Sequence, residues 1–355
     1  MKPSALENNS QKVPGQTQRY TSLQVLRGLA ALMVAIFHLP TALGMPELNI
    51  PILSGGVDIF FVISGFVMVV STANAPRDVA AFATQRFTRI VPFYWVMTFV
   101  MALALWAFAG KVVSLEDIGR SLLFIPYLDR TTGLVQPVLG VGWTLNLEVV
   151  FYVLFAATMA LGTLRQIAAI GTVFAFAVVA RIVLKPADDT VLFFYTTPVL
   201  FEFLAGMALG HFVGRVQRLP AAFGIAASIF AIGLIFVLRL NFHFPRTIEQ
   251  GIPALLFVAG CINLEPYFRT RAPRWSIRLG DASYSLYLTH PIVLLAAAPL
   301  VSVAGISPWI SGPLIIAGCI LVSLASYAIM EKPLLAISRT GWPGFGRGRS
   351  AQNAR

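Results

Sequence analysis

The stretch LQVLRGLAALMVAIFHLP, residues 23–40, decides the fold class. It is almost wholly apolar and close to the length of about 20 residues that an α-helix needs to cross the hydrocarbon core of a bilayer. Similar blocks recur along the chain and are separated by short polar connections. The pattern predicts an all-α polytopic membrane protein with about ten transmembrane helices. The predicted spans are residues 24–44, 57–72, 90–109, 143–161, 167–184, 194–213, 221–239, 250–264, 283–303 and 309–330.

The composition excludes a water-soluble fold. Only 12% of the residues are charged, against about a quarter in soluble domains, and 57% are hydrophobic. The net charge of +11 does not indicate a nucleic-acid partner, because the basic residues lie in the connections between apolar blocks, where they act as topology signals. Most of the 26 lysines and arginines fall on one side if the N-terminus is cytoplasmic. The charges therefore predict that both termini are cytoplasmic, and we expect the protein in the inner membrane of a bacterium.

The domain organisation is simple. A polar cytoplasmic tail (1–22) precedes the membrane domain (23–334), and a basic cytoplasmic tail (335–355) follows it. The first residues lack the features of a secretory signal peptide, so the first span is expected to direct insertion. Cys261 and Cys319 each lie in an apolar block, which predicts neither a disulfide nor a metal site.

The longest external connection comprises residues 111–142. Within it, SLEDIGRSLLFIPYL (114–128) has an apolar and a polar stripe, as an interfacial helix has. Two interpretations are open: the helix caps an external cavity, or it rests on the lipid headgroups as a connector.

Two ionisable residues lie inside the first span. An unpaired charge inside a membrane is costly, so such residues are functional candidates. Arg27 and His38 are eleven positions apart, which places both on one helical face, about 16 Å apart along the axis. His38 lies toward the outer end of the span. A buried histidine is also common as a purely structural hydrogen-bonding group.

Glu148, in the fourth span, is the predicted partner of His38. In GWTLNLEVVFY (142–152) it lies about 7 Å below Trp143, and His38 lies about 9 Å below the outer end of its own span. Because these depths match, we predict a pair in which the carboxylate fixes the imidazole tautomer and supports its protonated form. Such a pair suits a general base that takes a proton from an alcohol. The alternative is a charge-neutralised helix pair without chemistry.

Further polar groups lie inside other spans. GGVDIFFVISGFVM (55–68) places Asp58 near the outer rim and Ser64 near mid-membrane, where small residues admit a neighbouring helix or a slender ligand. Glu202 and His290 are the other intramembrane ionisable candidates, and the residues alone leave their role undecided.

A pair of arginines precedes the third span. In FATQRFTRIVPFYW (82–95), Arg86 and Arg89 are three positions apart and therefore adjacent on one helical face. The pair suits a bound phosphate, and it suits equally an anchor on anionic lipid headgroups.

From Leu23 to Pro333 these segments resemble the acyltransferase 3 family of bacterial and eukaryotic membrane proteins. Four landmarks in this order carry the resemblance: the arginine and histidine eleven apart, the FF-x-x-SGF run, the R-x-x-R pair, and the tryptophan followed five residues later by glutamate. The SYSLYLTHP stretch and the closing EKP fit the family as well. The resemblance implies a ten-helix core that takes an acyl group from acetyl-CoA or a related thioester on the cytoplasmic side and delivers it to an acceptor at the outer face.

The resemblance also implies roles for single residues. His38 would be the catalytic base and Glu148 its partner. The arginines would hold the phosphates of the donor or support the catalytic helix, and three further residues would line the passage. The arginines are Arg27, Arg86 and Arg89, and the lining residues are Ser64, Trp143 and Tyr152.

The expected activity is that of an O-acetyltransferase, and the resemblance is strongest to family members that acetylate exopolysaccharides. The acceptor would be a hydroxyl of an extracytoplasmic glycan or of a lipid-linked saccharide. Acetyl-CoA, or another acyl-CoA, would be a substrate, with no permanently bound cofactor. Transfer would be direct or would pass through a transient acyl-enzyme. Membrane lipids and polysaccharide-assembly proteins are the expected partners. The alternative functions are a transporter or flippase for an anionic solute, and a scaffold for polysaccharide assembly.

Overall fold

The computed structural model of the protein describes residues 20–73, 78–241 and 244–340. Within these residues the regular secondary structure is helical apart from one antiparallel two-stranded hairpin. The all-α fold class is therefore confirmed. Most of the two predicted tails, residues 1–19 and 341–355, lies outside the described residues.

The elements follow one another with short connections. The helices are α1 Thr21–Ala42, α2 Gly56–Thr72, α3 Val79–Ala109, α4 Leu115–Leu122, α5 Trp143–Ala157, α6 Thr163–Leu184, α7 Val191–Tyr195, α8 Leu200–His211, α9 Val213–Val216, α10 Ala221–Asn241, α11 Ile252–Asn263, α12 Glu265–Arg271, α13 Arg274–Asp281, α14 Ser283–Ala304, α15 Pro308–Ser326 and α16 Lys332–Thr340. The strands are β1 Leu128–Asp129 and β2 Leu134–Val135. Short 3-10 segments occupy Pro46–Leu48, Pro51–Gly55 and Gly140–Gly142, and π-helical turns occupy Thr247–Gly251 and Tyr327–Glu331.

The described residues contain nine helical segments that are long and apolar enough to cross a membrane, or ten if one bent pair counts as a single span. Each predicted span overlaps one of them, which confirms the polytopic architecture, but the third helix begins at Val79 rather than at residue 90 and therefore includes Arg86 and Arg89. The bent pair corresponds to the predicted span 250–264. Its first part is Thr247–Asn263, and Glu265–Arg271 follows after a bend of 66°. Below, "inner" denotes the end of the bundle at which α1 begins, and "outer" denotes the end at which α1 finishes.

The bundle has an apolar exterior as well as an apolar core. Helices α6, α10 and α15 expose large apolar side chains such as Phe176, Ile229 and Leu314. Such a surface would be unfavourable in water and is suited to contact with lipid chains. The buried core lies mainly among α2, α3, α5 and α8.

Two glycines set the packing of α2 on α8. A Cβ atom added at Gly65 would lie 1.9 Å from the carbonyl oxygen of Phe203, and one added at Gly206 would lie 2.0 Å from the carbonyl oxygen of Val62. The two backbones are therefore in direct contact, as small residues allow in membrane helices. This packing fixes the position of α2, on which Ser64 lies.

The N-terminus of α1 is held by a carboxylate from α12. Glu265 accepts hydrogen bonds from the backbone N–H groups of Thr21 and Ser22, each at 2.8 Å, and from the Ser22 hydroxyl at 2.6 Å. The first N–H groups of a helix have no partner within the helix, and a negative charge there is favourable. The buried Glu265 therefore anchors the inner end of α1.

Helix α1 packs along α14 as well as on α2 and α13. The contact with α13 is tight, since a Cβ atom at Gly280 would lie 1.9 Å from the carbonyl oxygen of Gln24. Only Ala282 separates α13 from α14. This short connection keeps α14 beside α1, so side chains of the two helices meet at both ends.

The outer segment, residues 111–142, is a folded cover. The Ser114 hydroxyl caps α4 by accepting a hydrogen bond from the Asp117 N–H at 3.0 Å. A helix is thus present within the predicted stretch 114–128, but it ends at Leu122. The Ser121 hydroxyl accepts a hydrogen bond from the Val138 N–H at 2.9 Å and ties the chain beyond the hairpin back to α4.

Candidate active site

Two polar contacts join α1 to α14. At the inner end, Nε of Arg27 donates to the hydroxyl of Ser283 at 3.2 Å. Toward the outer end, Nδ1 of His38 lies 3.3 Å from Nε2 of His290. Since both residues of α1 meet α14, the prediction that Arg27 and His38 share one helical face is confirmed.

The hydrogen bonds of His38 assign its tautomer. Its Nδ1 lies 2.9 Å from the carbonyl oxygen of Val34, one turn earlier in α1. A carbonyl oxygen only accepts, so the proton is placed on Nδ1, and Nε2 of the neutral ring carries a lone pair. Among the residues that the structure describes, no group is hydrogen-bonded to this Nε2. His38 therefore has a free basic nitrogen.

The structure does not pair His38 with Glu148. No hydrogen bond or ion pair joins them in the described part of the chain. Instead, Oε1 of Glu148 accepts hydrogen bonds from the hydroxyl of Ser64, at 2.5 Å, and from the hydroxyl of Tyr152. The helix rise gives the depth of a residue but not the direction of its side chain. Helix α5 packs on α2, α3 and α8, and Glu148 is directed at α2.

Arg86 lies next to this carboxylate group. Its guanidinium carbon is 5.6 Å from the centre of the Phe82 ring and 6.0 Å from that of the Tyr152 ring, so the cation rests against aromatic faces. Nη2 donates to the side chain of Gln85 at 3.2 Å, whereas the buried Nε has no partner among the residues that the structure describes. A buried guanidinium N–H without a partner is available to an acceptor on a ligand.

Glu331, of the EKP motif, belongs to the same region, although sequence analysis gave it no role. Its Oε2 accepts hydrogen bonds from the hydroxyl of Ser285 at 2.6 Å and from its N–H at 3.2 Å. The charges of Arg27 and Arg89 act on Glu331, and Arg27 also interacts with Glu148. The arginines predicted for the donor thus interact electrostatically with two carboxylates, Glu148 and Glu331. Glu331 lies one residue beyond the predicted span 309–330, so the fit of the EKP motif to the family was the signal that could have identified it.

Asp58 and Glu202 form a separate group. The fully buried Asp58 pairs with Arg246, with 2.7 Å between Oδ2 and Nη2 and 3.2 Å between Oδ1 and Nε. Arg246 also donates to the carbonyl oxygen of Ser54 at 2.9 Å, and the buried Glu202 interacts with Asp58. Within the described residues no hydrogen bond connects this group to His38. The Asp58–Arg246 pair ties α2 to the segment before α11, whereas neither carboxyl oxygen of the buried Glu202 has a hydrogen-bond partner among the described residues.

A cavity of about 1240 Å³ lies between the outer segment and the outer ends of α1, α5 and α14. His38 and Trp143 line it together with Leu147. The outer segment contributes aliphatic side chains, such as Val112 and Leu134, and a set of charged, amidic or aromatic ones: Lys111, Asp117, Arg120, Tyr127, Asp129 and Gln136. Of the two interpretations of this segment, the structure favours the cover of an external cavity. Of the three residues predicted to line a passage, Trp143 lines this cavity. Ser64 and Tyr152 do not line it and are hydrogen-bonded to Glu148 instead.

Two ionisable groups at the rim of the cavity, Asp129 and Tyr127, have shifted pKa values. Partial burial raises the pKa of the Asp129 carboxyl, but hydrogen bonds from Thr131 and Gln136 and the charge of Lys111, 3.4 Å away, lower it, and the net pKa lies below its usual value. Burial raises the pKa of Tyr127. At neutral pH the rim therefore presents a carboxylate and a neutral phenol.

The family model described as an acyltransferase domain, acyltransferase 3, matches residues 20–329. The chain belongs to this family. The matched region contains Glu148, the two histidines His38 and His290, and the three arginines of the inner end, Arg27, Arg86 and Arg89. The protein is therefore a membrane acyltransferase, and the family resemblance drawn from the sequence is confirmed.

Three curated relatives support the assignment. The chain is 37% identical over 295 residues to the exopolysaccharide production protein ExoZ of Rhizobium meliloti, an alignment that covers 81% of this chain and 90% of the relative. It is 26% identical to the peptidoglycan O-acetyltransferase OatA of Listeria monocytogenes, across 95% of this chain and 60% of the relative. It is 25% identical to the putative membrane-bound transacylase BcsY of Komagataeibacter xylinus, across 88% and 82%. No solved structure matches the chain.

Proposed function

We propose that this acyltransferase moves an acetyl or other short acyl group from acyl-CoA to a hydroxyl of an extracytoplasmic polysaccharide or lipid-linked saccharide. The observation that carries the proposal is the state of His38. Its Nδ1 is held by the Val34 carbonyl, its Nε2 is free, and its ring borders the outer cavity. A histidine with a free Nε2 beside a space large enough for a ligand is suited to act as a general base.

The reaction is an acyl exchange between sulfur and oxygen. Nε2 of His38 takes the proton of the acceptor hydroxyl as its oxygen attacks the thioester carbonyl carbon. The C–S bond then breaks, and the thiolate receives the proton from His38, which returns to its neutral state. An ester and free CoA are the products, so every proton is accounted for without a further reactant.

The inner polar region supports a CoA donor. A CoA molecule carries several negative phosphate oxygens, and guanidinium groups bind such oxygens through charge-assisted hydrogen bonds. Arg27, Arg86 and Arg89 lie together in the inner half, and the Nε of Arg86 has no partner within the described part of the chain. A hydrogen-bonded polar group lies deeper in the bundle, between these arginines and the outer half, and consists of Ser64, Tyr152 and Glu148.

The outer cavity supports a saccharide acceptor. Carboxylate and amide side chains such as Asp129 and Gln136 bind sugar hydroxyls, and aromatic rings such as those of Tyr127 and Trp143 offer apolar faces for sugar rings. The names of two relatives point in the same direction, one to exopolysaccharide production and one to O-acetylation of peptidoglycan.

The experiment is a CoA-release assay with the purified full chain in lipid bilayers. Acetyl-CoA is supplied as the donor and base-deacetylated bacterial exopolysaccharide as the acceptor, and free thiol and polymer-bound acetyl are both measured. We expect acceptor-dependent release in the wild type and a loss of about 100-fold or more in His38→Ala, since general base catalysis contributes at least that factor. The matched control is His211→Gln, which changes an exposed histidine outside the site and should behave as wild type.

Two results would contradict the proposal. Acceptor-dependent release at the wild-type rate in a folded His38→Ala variant would remove His38 from the chemistry. Transport of labelled acetyl-CoA or of an anionic sugar into sealed vesicles, without any ester formed, would favour the transporter interpretation instead.

A further inference from the structure

His290, in the SYSLYLTHP stretch, has 0% exposure and lies beside His38. Its Nδ1 lies 3.0 Å from the carbonyl oxygen of Leu286, one turn earlier in α14. Residue 291 is proline and has no N–H, so the carbonyl of Tyr287 lacks its helical donor. Because a carbonyl oxygen only accepts, the contact with the Leu286 carbonyl assigns the ring proton of His290 to Nδ1.

The tautomers of the two histidines fit each other. With its proton on Nδ1, neutral His290 presents the lone pair of Nε2 to His38. Nδ1 of His38 carries a proton, since it is bonded to the Val34 carbonyl, and it lies 3.3 Å from that lone pair. The Nδ1–H of His38 is therefore shared between two acceptors, one on its own helix and one on α14.

We propose that His290 is a positioning residue for His38. Its Nε2 accepts the Nδ1–H of His38 and thereby keeps the lone pair on Nε2 of His38, at the outer cavity. The proposal rests on the proposed function, in which His38 is the base. When His38 takes the proton of the hydroxyl, its ring becomes a cation, and the hydrogen bond from Nδ1–H to the neutral His290 becomes charge-assisted and stronger.

His290 acts through His38 and does not touch the substrate. It does not line the cavity, whereas its neighbour Pro291 does. Both of its ring nitrogens are engaged, Nδ1 by the Leu286 carbonyl and Nε2 by His38. The place that sequence analysis gave to Glu148, beside the base, is thus occupied by a second histidine.

Two substitutions separate positioning from packing. His290→Gln keeps an acceptor, Oε1, at about the reach of Nε2, and His290→Leu has a similar volume but no acceptor. We expect His290→Leu to lower kcat by about tenfold or more with an unchanged KM for acetyl-CoA, and His290→Gln to retain most of kcat. Equal losses in both variants, a loss confined to KM, or no loss in His290→Leu would overturn the proposal.

A second measurement does not depend on turnover or on the folding of a variant. In bilayer-embedded wild type labelled with ¹⁵N-histidine, we expect His38 and His290 to have protonated Nδ1 and bare Nε2, with a ¹⁵N–¹⁵N correlation from Nδ1 of His38 to Nε2 of His290. A proton on Nε2 of neutral His38 would overturn the proposal. If the correlation is present but no acyl group is transferred, the proposed function fails while the pair stands. If transfer proceeds and His290→Leu has the wild-type kcat, only the positioning role fails.

Discussion

At the residue scale, Arg86 has the most direct bearing on the donor. It is buried against two aromatic rings, and its Nε has no partner among the described residues. A phosphate oxygen would supply the missing acceptor, and a hydrogen bond between charged groups contributes about 1.5–3 kcal/mol. We therefore expect Arg86→Met to raise the KM for acetyl-CoA by about tenfold or more with little change in kcat. Steady-state kinetics at saturating acceptor measure this.

The control donor is S-acetylpantetheine, which has the thioester but no phosphates. The KM for this donor should be the same in Arg86→Met and in the wild type. Arg215→Met, an exposed arginine on α9, should leave both KM values unchanged. A rise of equal size with both donors would show that Arg86 supports the fold rather than the phosphates.

Much of the site could be predicted from single residues, but their pairing could not. Arg27 and His38 lie on one face because helix periodicity alone fixes that relation. The partner of His38 depends on the rotation of α5 and α14 about their axes, which depth along a helix does not determine. For this reason Glu148 was predicted as the partner and the role of His290 was left undecided, whereas in the structure His290 is the neighbour of His38.

At the element scale, the crossing of α2 and α8 holds Ser64 against Glu148. Because a Cβ atom at Gly206 would lie 2.0 Å from the Val62 carbonyl oxygen, Gly206→Ala must push the two backbones apart. We expect a loss of about 2 kcal/mol or more in stability, in the range of an overpacked core. Thermal unfolding in detergent should show a lower midpoint, and acyl transfer should fall with it since Ser64 moves with α2.

Gly233→Ala is the matched control for that substitution. Gly233 lies in α10 with nothing within 4 Å of an added Cβ atom. Alanine should therefore leave the free energy of unfolding unchanged or raise it by about 1 kcal/mol at most through helix propensity, and the midpoint should stay the same or rise. Equal midpoints for Gly206→Ala and Gly233→Ala would contradict the close crossing.

Hydropathy predicts the membrane-spanning helices, but it does not predict the bend in one of them. Length and apolar content predict the spans because a helix is the way a single segment satisfies its backbone hydrogen bonds in lipid. The 66° bend between Thr247–Asn263 and Glu265–Arg271 is not visible in such a pattern. It places Glu265 at the N-terminus of α1, a contact between residues far apart in sequence, which local patterns do not encode.

At the scale of the whole molecule, the proposed reaction requires two sites that open to opposite sides of the membrane. The arginine region lies toward the end where α1 begins, and the cavity lies at the end where α1 finishes. The distribution of basic residues predicts that the first end is cytoplasmic. A CoA donor is then on the side where CoA is made, and the cavity is open to an extracytoplasmic glycan.

This topology can be measured with single introduced cysteines. Arg130 in the outer segment and Arg271 at the end of α12 are both exposed, and the native Cys261 and Cys319 are buried, so background labelling should be low. A membrane-impermeant maleimide should label Arg130→Cys in intact cells and Arg271→Cys only after permeabilisation. The opposite result would reverse the orientation of the chain and place the cavity in the cytoplasm. Because a cytoplasmic cavity has no access to an extracytoplasmic acceptor, that result would also contradict the proposed glycan substrate, whereas the contacts of His38 within the bundle would be unaffected.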